Sequence, residues 1–309
     1  MRILRPVLVV MALLTSVLVS STTASAAAAG ANYTCSGGTL QPLNPSIIAP
    51  GNYKSLTVTG NCFIPGGTTN VRGNVSIHRN AVLVVNAPAG GGMPEDDATL
   101  NVGGSVSVGQ GASLILGCAP SFGCANTTHS VIQGNLDADG ALGLLLHGDT
   151  ILGNLSVTGG GGKNYDCIPP ATGLFGAFGS PVYTTFEDGT IGRNASFTDY
   201  KSCWLGFARA YVGGNLSYTH IILGDPDGVE ILASVVNGNL SCHRNLLVDV
   251  SKTPAVYTLH SPWDSADLST TGSLFPRQAE PNTVYGKRSG QCVLNSPTSP
   301  TDPPGPGPF

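Results

Sequence analysis

A short motif returns along this chain, and no other feature limits the fold so strongly. Gly73-Asn74-Val75-Ser76-Ile77-His78-Arg79-Asn80 recurs as Gly238-Asn239-Leu240-Ser241-Cys242-His243-Arg244-Asn245. Weaker copies surround Asn135, Asn154, Asn194 and Asn215, and Ser105 replaces the Asn in Val102-Gly103-Gly104-Ser105-Val106-Ser107-Val108. A unit repeated at this spacing cannot bury its apolar side alone and must stack on its neighbours.

The unit reads as strand. Val75 and Ile77 point one way and Ser76 the other, since strand side chains alternate. A second alternating run follows each motif, as in Ala81, Leu83 and Val85 or Leu142, Leu144 and Leu146. No stretch shows sustained 3.6-residue periodicity, which sets a helical solenoid aside. Greek-key sandwiches do not repeat one turn in register. The expected fold is all-β: a right-handed parallel β-helix with capped ends and loop insertions, right-handed because parallel crossovers nearly always are.

The stack is expected from about Val71 to about Cys242, with residues 33 to 64 as cap and first turn. Motif spacings near 20 residues read as one coil; the wider ones read as a coil plus a loop, or as two coils. Asn245 to Gln291 loses the repeat and should cover the last edge. The recurring Gly-Asn is read as a corner in the left-handed conformation that these two residues tolerate. Asn74, Asn135, Asn154, Asn194, Asn215 and Asn239 would then stack and hydrogen-bond from coil to coil. Their recurrence favours structure over ligand binding, and the Asn-x-Ser sequons at Asn74, Asn154, Asn194, Asn215 and Asn239 are by-products of the corner.

Residues 1–28 read as a signal peptide: Arg2 and Arg5, an apolar Val7–Leu18 run too short to span a bilayer, then small residues for cleavage. Residues 29–294 form the β-helix domain, and 295–309 a Pro-rich tail expected to be disordered. Export and release without a membrane anchor follow. The whole chain carries 14 Lys and Arg against 18 Asp and Glu; without Arg2 and Arg5 that is 12 against 18, a net of −6. An acidic balance excludes a nucleic-acid partner, which needs a basic face. Eight cysteines in an exported chain predict disulfides. The pairs expected from position along the coil are Cys35–Cys62, Cys118–Cys124, Cys167–Cys203 and Cys242–Cys292.

With its Gly-Asn-Leu-Ser coils, its leader, Asp188-Gly189-Thr190-Ile191, Lys201-Ser202-Cys203-Trp204 and the closing 282–292 segment, the chain resembles a group of exported β-helix proteins of actinomycetes. The resemblance covers most of the mature chain and implies fold and export, with no activity attached. At fold level it is also similar to pectate-lyase-type and polygalacturonase-type β-helices, and a shared fold does not carry function.

No catalytic, cofactor or metal residue is assigned. Glycoside hydrolysis requires two carboxyl groups at a set separation. Asp137, Asp139 and Asp149 are the candidates to supply them, and His147-Gly148-Asp149 is the nearest approach to a Gly-His-Gly loop. They read first as solvated turn residues. Asp225-Pro226-Asp227-Gly228 reads as a turn rather than a calcium loop. Tyr183, Phe186, Trp204 and Phe207 either stack on sugar rings or fasten the long insertion to the coil. Only Thr57-Val58-Thr59 has the Thr-x-Thr form, so an ice-binding face is not expected. The reading that results is a secreted, non-enzymatic scaffold with a polysaccharide or cell-surface partner. A carbohydrate-active enzyme and a self-assembling surface protein are the alternatives.

Overall fold

The computed structural model describes residues 30–41, 43–86, 97–118, 127–225, 228–259 and 282–293. The proposed leader and Pro-rich tail, and most of the acidic loop before Asp97, lie outside them. Strands stack in parallel, each coil directly on the last, in sheets of 18 and 8 strands. This is a parallel β-helix.

Each coil has three legs. In one coil they are Thr150–Ile151, Leu155–Thr158 and, after an insertion, Tyr183–Glu187. The Gly-Asn corner separates the first two. A fourth short strand joins in later coils, as at Lys201–Ser202. Every motif interval is a single coil. Leu155–Thr158 pairs directly with Ala195–Thr198 although 40 residues separate their corner Asn, so the wide intervals hold loops and not second coils.

The stack is longer at both ends than the motif suggests. Ala31–Cys35 pairs in parallel with Gly51–Val58, which pairs with Val75–Ile77. Neither strand has a Gly-Asn at the corner: Gly51-Asn52 stands in the first leg, and Lys54-Ser55 takes the corner place of Gly73-Asn74. At the other end Thr283–Val284 and Arg288–Gly290 add a further rung inside the segment expected only to cover the edge.

Alternation explains the core. Inward residues of the second leg are fully buried: Val75, Leu136, Leu155, Leu216 and Leu240 are at most 1% exposed. The third leg is buried on both faces, as in Ser113–Gly117 and Gly143–His147. One face enters the main core. The other packs under a short antiparallel pair, Thr39–Leu40 with Leu43–Asn44, and under the insertion, whose helix Gly173–Phe178 contributes Leu174 and Phe175. Near-continuous apolar runs are the signature of strands covered on both sides.

The corner departs from the left-handed expectation. Neither the corner Asn nor the Gly before it has positive φ. Glycine is needed there for close approach instead: a Cβ on Gly238 would sit 2.6 Å from Asn215 Oδ1. Left-handed residues occupy the turn after the second leg, at Asn80, Asp199, His220 and Arg244, all with φ of 57°. His78 and His243 precede that turn and are exposed.

What the corner Asn do is hold the coils together. Asn74 Oδ1 accepts the Ser105 N–H at 2.9 Å, and Ser105 Oγ accepts that of Asn135 at 3.1 Å. The chain of bonds continues through Asn154, Asn194, Asn215 and Asn239 and ends on the Lys287 N–H at 2.8 Å. Side-chain amides also bond each other at Asn135–Asn154 and Asn154–Asn194. The stacked-amide expectation therefore holds in part, with backbone N–H as the principal donor.

Three of the expected disulfides are present: Cys35–Cys62, Cys167–Cys203 and Cys242–Cys292. Cys118 is disulfide-bonded, and Cys124 lies outside the described residues. No helix among the described residues is long and apolar enough to cross a membrane.

Candidate functional site

The four aromatic candidates present no ring to solvent. Tyr183 is 5% exposed, Phe186 1%, and Trp204 and Phe207 0%. Phe186 stacks on Phe207 inside the coil, with centroids 5.4 Å apart. Tyr183 and Trp204 lie 5.6 Å apart on the outer side of the third leg, and Tyr183 meets Phe175 of the insertion helix. They fasten the insertion, and Cys167–Cys203 ties the same segment. Sugar stacking on them is corrected by their burial.

The three aspartates separate. Asp149 is 1% exposed, just beyond the third leg, and its Oδ1 accepts the Ser130 N–H at 3.1 Å. Burial pushes its carboxyl well above the usual range. Asp137 and Asp139 are exposed and leave the same face of Leu136–Asp139. Two residues along a strand places their Cα atoms about 6.7 Å apart.

Sequence reasoning missed a buried ionic group beside the same turn. Glu187 has no exposed surface, and its Oε1 accepts from Thr185 Oγ1 at 2.6 Å. Arg209 binds Glu187 Oε2 at 2.9 Å through Nη2 and Asp188 Oδ1 at 2.6 Å through Nε. Burial alone would lower the Arg209 pKa, but hydrogen bonds and charge from Asp188 and Glu187 hold the guanidinium above its usual range. His147 Nε2 lies 3.5 Å from Glu187 Oε1, because strand register sets His147 beside Glu187. These groups resemble acid–base machinery in type, but His147 and Glu187 are wholly enclosed and meet no polymer. Charges so far apart in sequence give no warning of their meeting.

One accessible polar surface lies over the first leg. Asn101 Nδ2 donates to Asn70 Oδ1 and Asn70 Nδ2 to Asn52 Oδ1, each at 3.1 Å. This external amide column, with Arg72, Gln133 and Gly103, lines a groove of about 480 Å³. Among the described residues that line it there is no carboxylate. Farther along the same leg the exposed apolar side chains are Leu152, 44% exposed, Tyr211, 43%, and Tyr285, 71%. The signal for this column was weak, because Asn52, Asn70 and Asn101 sit in unlike sequence contexts.

The outward face of the second leg carries hydroxyls in register. Thr57, Ser76 and Ser107 form one run, and Ser156, Ser196, Ser217, Ser241 and Ser289 another, with Asp137 between them. Thr158, Thr198 and Thr219 form a second column beside it. The Thr-x-Thr pattern does not repeat, but a Ser-x-Thr pattern does.

A second concavity, also about 480 Å³, lies against the insertion and is lined by Lys163, Asn164, Tyr165, Asp166, Val182 and Val250 among others. Asn164 and Asp166 are committed to holding its shape, with Asn164 Nδ2 donating to Asp166 Oδ1 at 3.0 Å. Nearby, Cys167, Cys203 and Asp225 bring potential ligand atoms within 4.8 Å of one another, but the two sulfurs are joined to each other. The backbone N–H of Asp225 donates to the Cys203 carbonyl at 3.0 Å, while Pro226 and Asp227 lie outside the described residues.

Fold and surface thus define a disulfide-tied parallel β-helix with an amide- and hydroxyl-faced exterior. No family model, curated protein or solved structure matches the chain.

Proposed function

We propose that this chain is an exported β-helix scaffold, akin to the actinomycete group it resembles, that holds a polysaccharide on its outer face without cleaving it. One observation carries the reading: the exposed groove of Asn52, Asn70, Asn101, Arg72 and Gln133, with no carboxylate among the described residues that line it. Amide side chains offer both donors and acceptors, as sugar hydroxyls require. Coils rise by about 4.8 Å, so a glycan lying along the axis meets a fresh amide at each coil. Export is supported by the three disulfides, which persist in oxidising compartments.

A second reading has one observation behind it. Asp137 and Asp139 leave one open face with their Cα atoms about 6.7 Å apart, so both carboxyl groups can reach one glycan, as glycoside hydrolysis requires. Pull-down on a panel of insoluble glycans, run beside assays of reducing-end release and unsaturated product, separates the two. Retention without product supports the scaffold. Product formation that disappears in Asp137→Asn supports hydrolysis instead, and retention of none of the panel contradicts the proposal.

A further inference from the structure

We infer that the C-terminal rung is built to stop this protein from stacking head to tail on a second copy of itself. A parallel solenoid has two unlike ends, and each is complementary to the other. Any contact of one end with the other leaves both outer ends free, so it extends into a filament. Ala31–Cys35 pairs only with Gly51–Val58 among the described strands, and Arg288–Gly290 only with Leu240–His243. Tyr33 and Arg288 occupy the same column of the stack, as the register from Leu56 through Leu240 shows. Ala31–Cys35 of a second copy would therefore fit as the next parallel rung on Arg288–Gly290.

The final rung keeps the motif where it faces backward and loses it where it faces forward. Gly286 and Ser289 occupy the places of Gly238 and Ser241, and the Lys287 N–H still closes the corner ladder on Asn239 Oδ1 at 2.8 Å. The corner side chain that should accept from the next coil is Lys287, and an ammonium has no acceptor. The next position holds a buried Leu in five earlier coils, Leu56, Leu136, Leu155, Leu216 and Leu240, and here it is the exposed Arg288. Gly290 takes the place of the buried Cys242. In this leg a further coil would meet two cations and no apolar side chain. Charge on an edge strand is the usual means of preventing strand addition.

Among the described residues the opposite end has no such device. Ala-Asn-Tyr-Thr-Cys is an uncharged strand without proline, and Tyr33 packs against the core. One blocked end is enough, because every head-to-tail contact needs both.

The test is self-association of the full chain carrying Lys287→Asn and Arg288→Leu, followed by sedimentation and light scattering across a concentration series. The wild type should stay monomeric. The double variant should self-associate more tightly, on the order of tenfold or beyond, into rods visible by electron microscopy. Adding Thr34→Lys to the same chain should restore the monomer. A folded double variant that stays monomeric, a wild type that itself forms rods, or rods indifferent to Thr34→Lys would each overturn the inference. Should the double variant fail to fold, Lys287→Asn alone decides, since that side chain is exposed: tighter association supports the device and an unchanged monomer overturns it.

Discussion

The side-chain oxygen of Asn154 accepts the backbone N–H of Asn194 at 3.1 Å, across 40 residues of sequence. The insertion between them leaves the contact intact because both residues turn the same corner of adjacent coils. Asn154 also uses its own N–H and amide to bind Asn135 Oδ1, so one side chain serves the coils on both sides.

Replacing Asn154 with Ala removes the acceptor and leaves the Asn194 N–H without its partner. The bond is exposed, so the expected cost is about 0.5–1.5 kcal/mol. Asn154→Ser should lose less, since Ser105 performs the same task with its hydroxyl. Chemical denaturation of the two variants measures the difference. Equal stability of wild type and Asn154→Ala would show the ladder to be idle.

Arg209 is the counter-charge of a carboxylate that has no exposed surface. Arg209→Met should destabilise the fold by about 3–5 kcal/mol, because Glu187 is left as an uncompensated buried charge. The double variant Arg209→Met, Glu187→Gln should regain much of that loss. A denaturation cycle over the four proteins reads the coupling.

Asp149 gives a pH dependence of definite sign. Its folded pKa lies above the unfolded value because burial disfavours the charged form. The native state therefore holds this proton more tightly than the unfolded chain does. Its contribution to stability is highest below the unfolded pKa and falls as pH rises toward the folded pKa. Asp149→Asn keeps an oxygen for the Ser130 N–H and removes the titration. The stability difference between wild type and variant should shift in the variant's favour as pH rises from acid to neutral. A difference independent of pH would contradict the burial argument.

Cys167–Cys203 closes a segment 36 residues long and pins the insertion beside Trp204. Replacing both cysteines by Ala should cost about 2–4 kcal/mol. Limited proteolysis should then cut first between Gly159 and Val182, while the Asn194–Asn215 coil stays protected. Mapping of the unreduced protein should recover Cys35 with Cys62 and Cys242 with Cys292.

The parts of the fold that were legible share one property, namely that each coil repeats its own local chemistry. Gly-Asn followed by Val-Ser or Leu-Ser identifies the second leg at Asn74, Asn154, Asn215 and Asn239. Ala31–Cys35 and Thr283–Gly290 escaped because the ends of a stack have one neighbour and need no full motif. The left-handed corner was misread because Gly and Asn are suited to two different jobs. Here Gly makes room for the preceding Asn side chain, and φ plays no part. The site was far less legible. Whether Trp204 or Tyr211 faces solvent depends on which leg it occupies and on what the insertion covers, and neither is written in the local sequence. Glu187 meets Arg209 only through register one coil later.

The groove over Asn70 and Asn101 is where the functional account can be tested most directly. The measurement is the affinity of wild type and of Asn70→Leu, Asn101→Leu for the glycan that wild type retains, with melting followed in parallel. Those side chains point outward and their two inter-coil amide bonds are exposed, so the account predicts a small loss of melting temperature, binding weakened on the order of tenfold or more as the amide contacts are lost, and no product from the glycan. Undiminished binding in the double variant, or turnover by the wild type, would contradict it.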